Sequence, residues 1–243
     1  MWCIVPFKIL TRGKQRLAGM LPDRQRAGLC RAMIEDLLCA LQQVQLLEGT
    51  LIVSDDAEAA GLAQKYGMDV IDEDGSRGAG LNHAVNTAIE RLTAASISDI
   101  MIIHGDLPLV TAADLTTLIQ HHARHGKRLL TLVPDRWGRG SNCLIASSCS
   151  PIPICFGTDS LAQHRRAAAQ QGIPFRTAEV PSIMFDIDTP ADLLELKHRL
   201  NTMDSGSASR TRHFLETLDA PQAPRPCTLP ARGTAHRAVG TQR

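Results

Sequence analysis

Ile100-Met101-Ile102-Ile103-His104-Gly105-Asp106-Leu107-Pro108-Leu109 joins a continuous apolar run to an aspartate and a turn-forming proline. A strand with one wet face alternates apolar and polar residues, whereas a strand covered on both faces is apolar throughout. The run from Ile100 to His104 is of the second kind and predicts a central strand of an α/β sheet. Ligands of such sheets gather beyond the carboxyl ends of the strands, so Asp106 falls where function is expected. An Asp there, between a Gly and a Pro, suits a hard cation, and the bland alternative is a turn cap.

Further apolar runs lie on either side. Ile4-Val5-Pro6-Phe7, Leu51-Ile52-Val53 and Leu129-Leu130-Thr131-Leu132-Val133 read as strands, and 183–188 is a conditional one. Leu29, Met33, Leu37 and Leu41 recur every four residues, with Ile34 and Leu38 widening the stripe, so 24–46 is an amphipathic helix. Helical patterns also cover 56–66, 80–95, 112–125, 159–171 and 190–200. Alternation of strand and helix predicts an α/β fold, Rossmann-like, with a mostly parallel sheet flanked by helices.

With 243 residues, 44% of them hydrophobic, the chain can bury one sizeable core. We expect a domain over 1–200 and a disordered tail over 201–243, where Ser, Thr, Pro, Gly and Arg dominate. The tail holds six arginines against three acids, and 26 Lys and Arg against 25 acids in the whole chain leave residues 1–200 two charges negative. That balance does not point to nucleic acid or membrane, and 3% aromatic residues are too few for a base-stacking platform. The stretch Met1 to Phe7 is too short for a signal-peptide core or a membrane span. Seven cysteines without a C-x-x-C spacing read as reduced thiols of a cytoplasmic protein.

The motif Asp186-Ile187-Asp188-Thr189-Pro190 places two carboxylates just before a helix start. If 183–188 is a strand, both aspartates share a face while Ile187 enters the core. Helix capping with Pro190 at the first helical position accounts for one acid, not two. An Asp-x-Asp pair together with Asp106 is suited to holding a nucleotide-bound Mg²⁺ ion between two carboxylate sources. Lys8, Arg12, Lys14 and Arg16 form a basic loop after the first strand, suited to a polyphosphate although Gln15 excludes a Walker loop. Gly75 to Asn82 is a glycine-rich turn opening a helix, where Gly80 and Asn82 are placed to meet a base or ribose. Gly138 to Asn142 and Phe156 to Ser160 complete the set, the latter a pocket for a second anion at a helix N-terminus. His164 reads either as a site residue or as an ordinary helix-surface histidine.

Taken in order, "VPFKILTRGKQRLAGML", "RAGLCRAMIEDLL", "GAGLNHAV", "IIHGDLPLV", "GRGSNCLI", "CFGTDSLAQHRRAA" and "FDIDTPADL" resemble the guanylyltransferase family of coenzyme F-420 biosynthesis. The resemblance covers about residues 1–200. It implies a nucleotidyltransferase fold and transfer of GMP from GTP to the phosphate of a three-carbon phosphorylated acid, with release of diphosphate. The acid is 3-phospho-D-glycerate by preference, with 2-phospho-L-lactate and phosphoenolpyruvate as alternatives. Carried over motif by motif, it implies metal ligation by Asp106, Asp186 and Asp188, catalytic roles for Lys14, Arg16, Asp106 and Asp188, and GTP contacts from Lys8, Gly80 and Asn82. The acid pocket falls on Asn142, Gly157 and Ser160. Gln15 departs from the Ser or Thr common at that place in the family.

Three other readings remain open at this stage. One is a sugar-phosphate or molybdenum-cofactor nucleotidyltransferase, and another is a glycosyltransferase using the Asp-x-Asp metal site. The third is a GTP-binding regulatory domain whose Arg-bearing tail recruits a partner. The oligomeric state is not legible, and a homo-oligomer is compatible with the sequence.

Overall fold

In the computed structural model the described residues are 1–7, 14–54, 56–72, 80–148, 151–152 and 154–219. Seven strands form one sheet: β1 (Trp2–Pro6), β2 (Gly49–Ser54), β3 (Asp69–Asp72), β4 (Asp99–Ile103), β5 (Leu129–Pro134), β6 (Ser141–Ser147) and β7 (Phe175–Thr177). Their order is β3-β2-β1-β4-β6-β5-β7. β1 runs parallel to β2 and β4, β2 to β3, and β5 to β7, while β6 is antiparallel to both β4 and β5. The expected mostly parallel α/β sheet is observed.

The helices are α1 (Asp23–Gln42), α2 (Ala57–Tyr66), α3 (Leu81–Ala94), α4 (Ala112–Ala123), α5 (Ser160–Gln170), α6 (Pro190–Thr202) and α7 (Ser209–Asp219). The pleat explains why β4 is apolar at every position. Met101 and Ile103 enter the core beneath α1, α2 and α4, while Ile100 and Ile102 enter the core on the other face, with Val85, Ala88 and Leu92 of α3. No described helix is long and apolar enough to cross a membrane.

Two expectations are corrected. Residues 183–188 are not a strand: Asp186 to Asp188 have no regular secondary structure and lie outside the sheet. The segment is tied to the end of β4 by a hydrogen bond from the Ile187 N–H to the Asp106 carbonyl (3.3 Å), and Ile187 is fully buried as expected. The disordered tail expected from 201 does not begin there, because α7 packs against α1. Asp36, buried on α1, accepts the backbone N–H groups of Arg210 (3.0 Å) and Thr211 (2.8 Å), which satisfies donors at the start of α7. Leu215 is 3% exposed, and Gly28 leaves room for the Phe214 ring, which a Cβ at that position would meet at 2.4 Å. A buried side chain of that size contributes about 1.5–3 kcal/mol, which a largely polar helix needs in order to hold its place. Residues 220–243 lie outside the described residues, and the disorder expected for them with it.

Candidate active site

The carboxyl ends of β1, β4 and β5, the start of β6 and the segments before α5 and α6 surround one cleft of about 730 Å³. Its lining includes Arg16, Asp106, Asn142, Gly157, Ser160, Asp186 and Asp188, so the cleft gathers seven of the expected site residues from across the chain. A smaller cavity of about 260 Å³ adjoins it and is lined by Lys14, Phe7, Cys30, Met33 and Asp106 among others. Lys8 and the turn from Gly75 to Ala79 lie outside the described residues.

Asp106 follows β4 directly. Its Oδ2 accepts from the Lys14 ammonium at 2.5 Å, and the same ammonium lies 2.5 Å from Oδ1 of Asp188. Burial pushes the Asp106 carboxyl up, but the charges of Lys14 and His104 and the Lys14 hydrogen bond outweigh it, and the carboxyl titrates below its ordinary value. Burial lowers the Lys14 ammonium and the two aspartates raise it by more, so it stays charged well above neutral pH. Asp186 goes the other way. Burial and the neighbouring Asp106 charge raise its carboxyl, with only the Asn142 hydrogen bond opposing strongly.

Capping of α6 falls to Thr189, whose Oγ accepts from the Asp192 N–H, while Asp192 accepts from the N–H groups of Asp188 (2.9 Å) and Thr189 (2.6 Å). Neither Asp186 nor Asp188 is needed for the helix start. Asp192 is further paired with Arg136, which lies over the Phe185 ring at 4.9 Å from its centroid, with Arg199 over the same ring at 4.1 Å. The β5–β6 loop is thereby fastened to the segment that carries both aspartates.

Three expected ligand contacts have structural partners instead. The Asn82 amide accepts from the Phe156 N–H (2.9 Å) and donates to the Phe156 carbonyl (3.0 Å), so it braces the loop before α5 and does not present a free edge to a base. Asn142 donates to the Ile183 carbonyl (2.9 Å) and to Asp186 (3.2 Å), which makes it the residue that orients Asp186. The Ser160 hydroxyl donates to Ser141 at 2.9 Å and is 2% exposed. An acid in this part of the cleft would therefore meet the backbone around Gly157 (φ +136°) and the start of α5, which no side chain caps.

His164 is not a surface histidine. It is fully buried, with Nδ1 donating to the Ser160 carbonyl (2.8 Å) and Nε2 accepting from the Cys155 N–H (3.0 Å), which fixes a neutral ring. Burial lowers its pKa to about 4. Phe156 packs edge-on between His164 and His104, with centroids 5.0 and 4.9 Å apart. The sequence reading passed over Asp135, Arg136 and Trp137 of the β5–β6 loop, and took in Arg139 only as part of the stretch Gly138 to Asn142. Trp137 stands 73% exposed at the cleft rim. The rule that flagged Asp106, position just after a strand, also applies to Asp135 and Arg136, which follow β5.

Asp106, Asp186 and Asp188 supply the hard oxygen donors that a divalent cation such as Mg²⁺ takes, and Oδ1 of Asp106 is buried without a hydrogen-bond partner. The donor set fits such an ion. Among the described residues no three acidic, His or Cys side chains converge closely enough to hold a metal as they stand, and Lys14 lies between two of these aspartates.

Residues 1–226 match the family described as "Guanylyl transferase CofC like". A phosphoenolpyruvate guanylyltransferase of Conexibacter woesei is 33% identical over 217 residues, covering 89% of this chain and 96% of the relative. One of the same name from Mycobacterium leprae is 35% identical over 192 residues, covering 78% and 85%. Among solved structures, one named as a nucleotide-diphospho-sugar transferase from Desulfovibrio desulfuricans G20 superposes with a TM-score of 0.70 at 17% identity, covering 90% of this chain and 95% of that one. A cytidylyltransferase from Leptospira borgpetersenii gives 0.58 at 12% identity, covering 89% and 93%. At those identities the two structures speak for the fold.

Proposed function

The chain belongs to the family of CofC-like guanylyl transferases and is a nucleotidyltransferase, and from that premise we propose the reaction and the residues that carry it. GMP passes from GTP to the phosphate of a three-carbon phosphorylated acid in coenzyme F-420 biosynthesis. A phosphate oxygen of the acid attacks the α-phosphorus, the bond to the β-phosphate oxygen breaks, and diphosphate leaves. The observation that carries this reading is the convergence of Asp106, Asp186, Asp188 and Arg16 in one cleft beyond the sheet, with Lys14 paired to two of those acids.

A phosphate monoester has its second pKa at about 6, so the nucleophile is already charged at neutral pH and no general base is required. The protein's task is to hold two anions in line against their repulsion. Asp106 and Asp188, with Asp186, would hold Mg²⁺, which when bound supplies charge neutralisation at the reacting phosphates. Lys14 and Arg16 stabilise the departing diphosphate. Asn142 keeps Asp186 oriented, and the backbone at Gly157 and Ser160 receives the acid. Asn82 serves the site through Phe156, and Gly80, at φ +86°, opens α3 on the nucleotide side.

For the acid we propose 3-phospho-D-glycerate, because the cleft offers exposed polar groups beyond the three carboxylates, Asp159 and Arg139 among them, that suit a hydroxylated substrate. Phosphoenolpyruvate is the second reading, favoured by the names of the relatives. The test is diphosphate release from GTP and Mg²⁺ with each of the three acids, beside CTP and ATP controls. Release with GTP and one acid supports the reading and identifies the substrate. GTP binding with no release for any acid favours a regulatory domain, and release of a nucleoside diphosphate would mark a glycosyltransferase.

A further inference from the structure

The ammonium of Lys14 stands where two carboxylates need a cation. Its Nζ lies 2.5 Å from Oδ2 of Asp106 and 2.5 Å from Oδ1 of Asp188, and the Lys14 side chain is only 9% exposed. A magnesium ion sits about 2.0–2.1 Å from each oxygen ligand, and a charged hydrogen bond spans about 2.7–2.9 Å, so both cations draw on the same two carboxylates at short range. They also repel one another. Lys14 and a metal on Asp106 and Asp188 are therefore alternatives.

We propose that Lys14 is the place-holding cation of the nucleotide-free enzyme, displaced from Asp106 and Asp188 when metal and nucleotide enter together. The inference rests on the reading of these residues given above and deepens it. Without a cation, Asp106, Asp186 and Asp188 would face one another across the cleft with three like charges, one of them on a half-buried carboxylate whose buried Oδ1 has no partner. The ammonium relieves that repulsion. A metal ion arriving alone must displace Lys14 from both carboxylates and leave its ammonium without the partners it now has. A metal ion arriving with a nucleotide brings phosphates that accept the released ammonium. The exchange makes the two ligands bind cooperatively, and by linkage each tightens the other by the same factor. It also carries Lys14 from the metal ligands to the phosphates, where the transfer requires it. Lys14 has left-handed backbone angles (φ +53°, ψ +43°) and directly precedes the 3₁₀ turn Gln15–Leu17, so rotation about its own side chain accomplishes the move without unwinding a strand or a long helix.

The test is titration of full-length protein with Mn²⁺ alone, read by the paramagnetic signal of free Mn²⁺, for wild type, Lys14→Met and Lys14→Gln. Each titration is repeated with a GTP analogue carrying a methylene bridge between the α- and β-phosphates. The expected result is at least tenfold tighter Mn²⁺ binding by both variants than by wild type in the absence of nucleotide, and a smaller tightening by the analogue in the variants than in wild type. Equal or weaker binding of Mn²⁺ alone by folded Lys14→Met or Lys14→Gln, checked by thermal unfolding, overturns the exchange. Diphosphate release by wild type is measured on the same preparation. Turnover with no gain in metal affinity sinks the exchange and leaves the function standing, whereas the affinity gain with no turnover for any acid does the reverse.

Discussion

The side-chain amide of Asn82, at the start of α3, pairs with both backbone groups of Phe156, accepting from its N–H at 2.9 Å and donating to its carbonyl at 3.0 Å. An amide used in this way mimics a strand partner and fixes a loop that has none. Asn82→Ala should leave the preference for GTP over CTP unchanged while raising the KM for the acid several-fold. Loss of the two hydrogen bonds should cost about 1–3 kcal/mol of stability. Steady-state kinetics with both nucleotides and urea unfolding check this, and a switch of nucleotide preference would return Asn82 to the base.

Asp106→Asn and Asp188→Asn should each lower kcat by at least a hundredfold while the protein remains folded. The side chains line the cleft, and the Oδ1 of Asp106 has no other partner to lose. Circular dichroism and diphosphate release in parallel decide the matter, since near-normal turnover in either variant removes that residue from the metal site.

Arg136 spans the cleft wall by pairing with the buried Asp192 and covering Phe185. Arg136→Met should keep some of the packing but leave Asp192 without its cation, at a cost of about 1–3 kcal/mol for a pair that is only partly buried. Asp192 also accepts from the Asp188 N–H, so the variant should lose activity beyond what unfolding explains. Activity measured well below the melting temperature separates the two effects.

Asp36→Ala should release α7 from α1, because two backbone N–H groups at Arg210 and Thr211 lose their acceptor. An expected loss of about 1–3 kcal/mol would appear as a lowered Tm, together with faster amide exchange confined to α7 and the facing side of α1. Unchanged exchange there would show that the apolar contacts of Phe214 and Leu215 suffice.

The buried His164 ring favours its neutral form, with a pKa of about 4 in the folded protein against about 6.5 unfolded. A depressed histidine pKa means that the unfolded chain binds the proton more readily, so stability is fully present above pH 6.5 and falls as pH drops toward 4. Burial lowers His104 and His122 as well, which adds in the same direction. Tm should therefore decline between pH 7 and 4.5. His164→Gln should show a shallower decline, and an unchanged slope would assign the effect to the other histidines.

Six of the seven α-helices among the described residues were legible because their information is local. In α1 a stripe of Leu29, Met33, Leu37 and Leu41 recurs with the helix period, and in α6 Thr189 with Pro190 and Asp192 builds the helix start within four residues. β4 was legible because its two covered faces make every position apolar. β6 was not, since Ser141, Asn142 and Ser147 break its apolar run, and only pairing with β4 and β5 on both sides makes them buried strand residues. Helix α7 reads as polar tail until Asp36 and the apolar surface of α1 give it acceptors and contacts.

At the site the order of residues is enough to show which acids and bases are present and that Asp106, Asp186 and Asp188 lie at the ends of elements, because a strand edge and a helix start can be read from the chain around them. Folding alone brings Asn82 and Asn142 to the loops they brace, and Lys14 to aspartates 92 and 174 residues away. Periodicity and capping are set by neighbours in the chain, whereas an ion pair is set by distance in space, and that distance exists only after the sheet has brought the ends of its strands together.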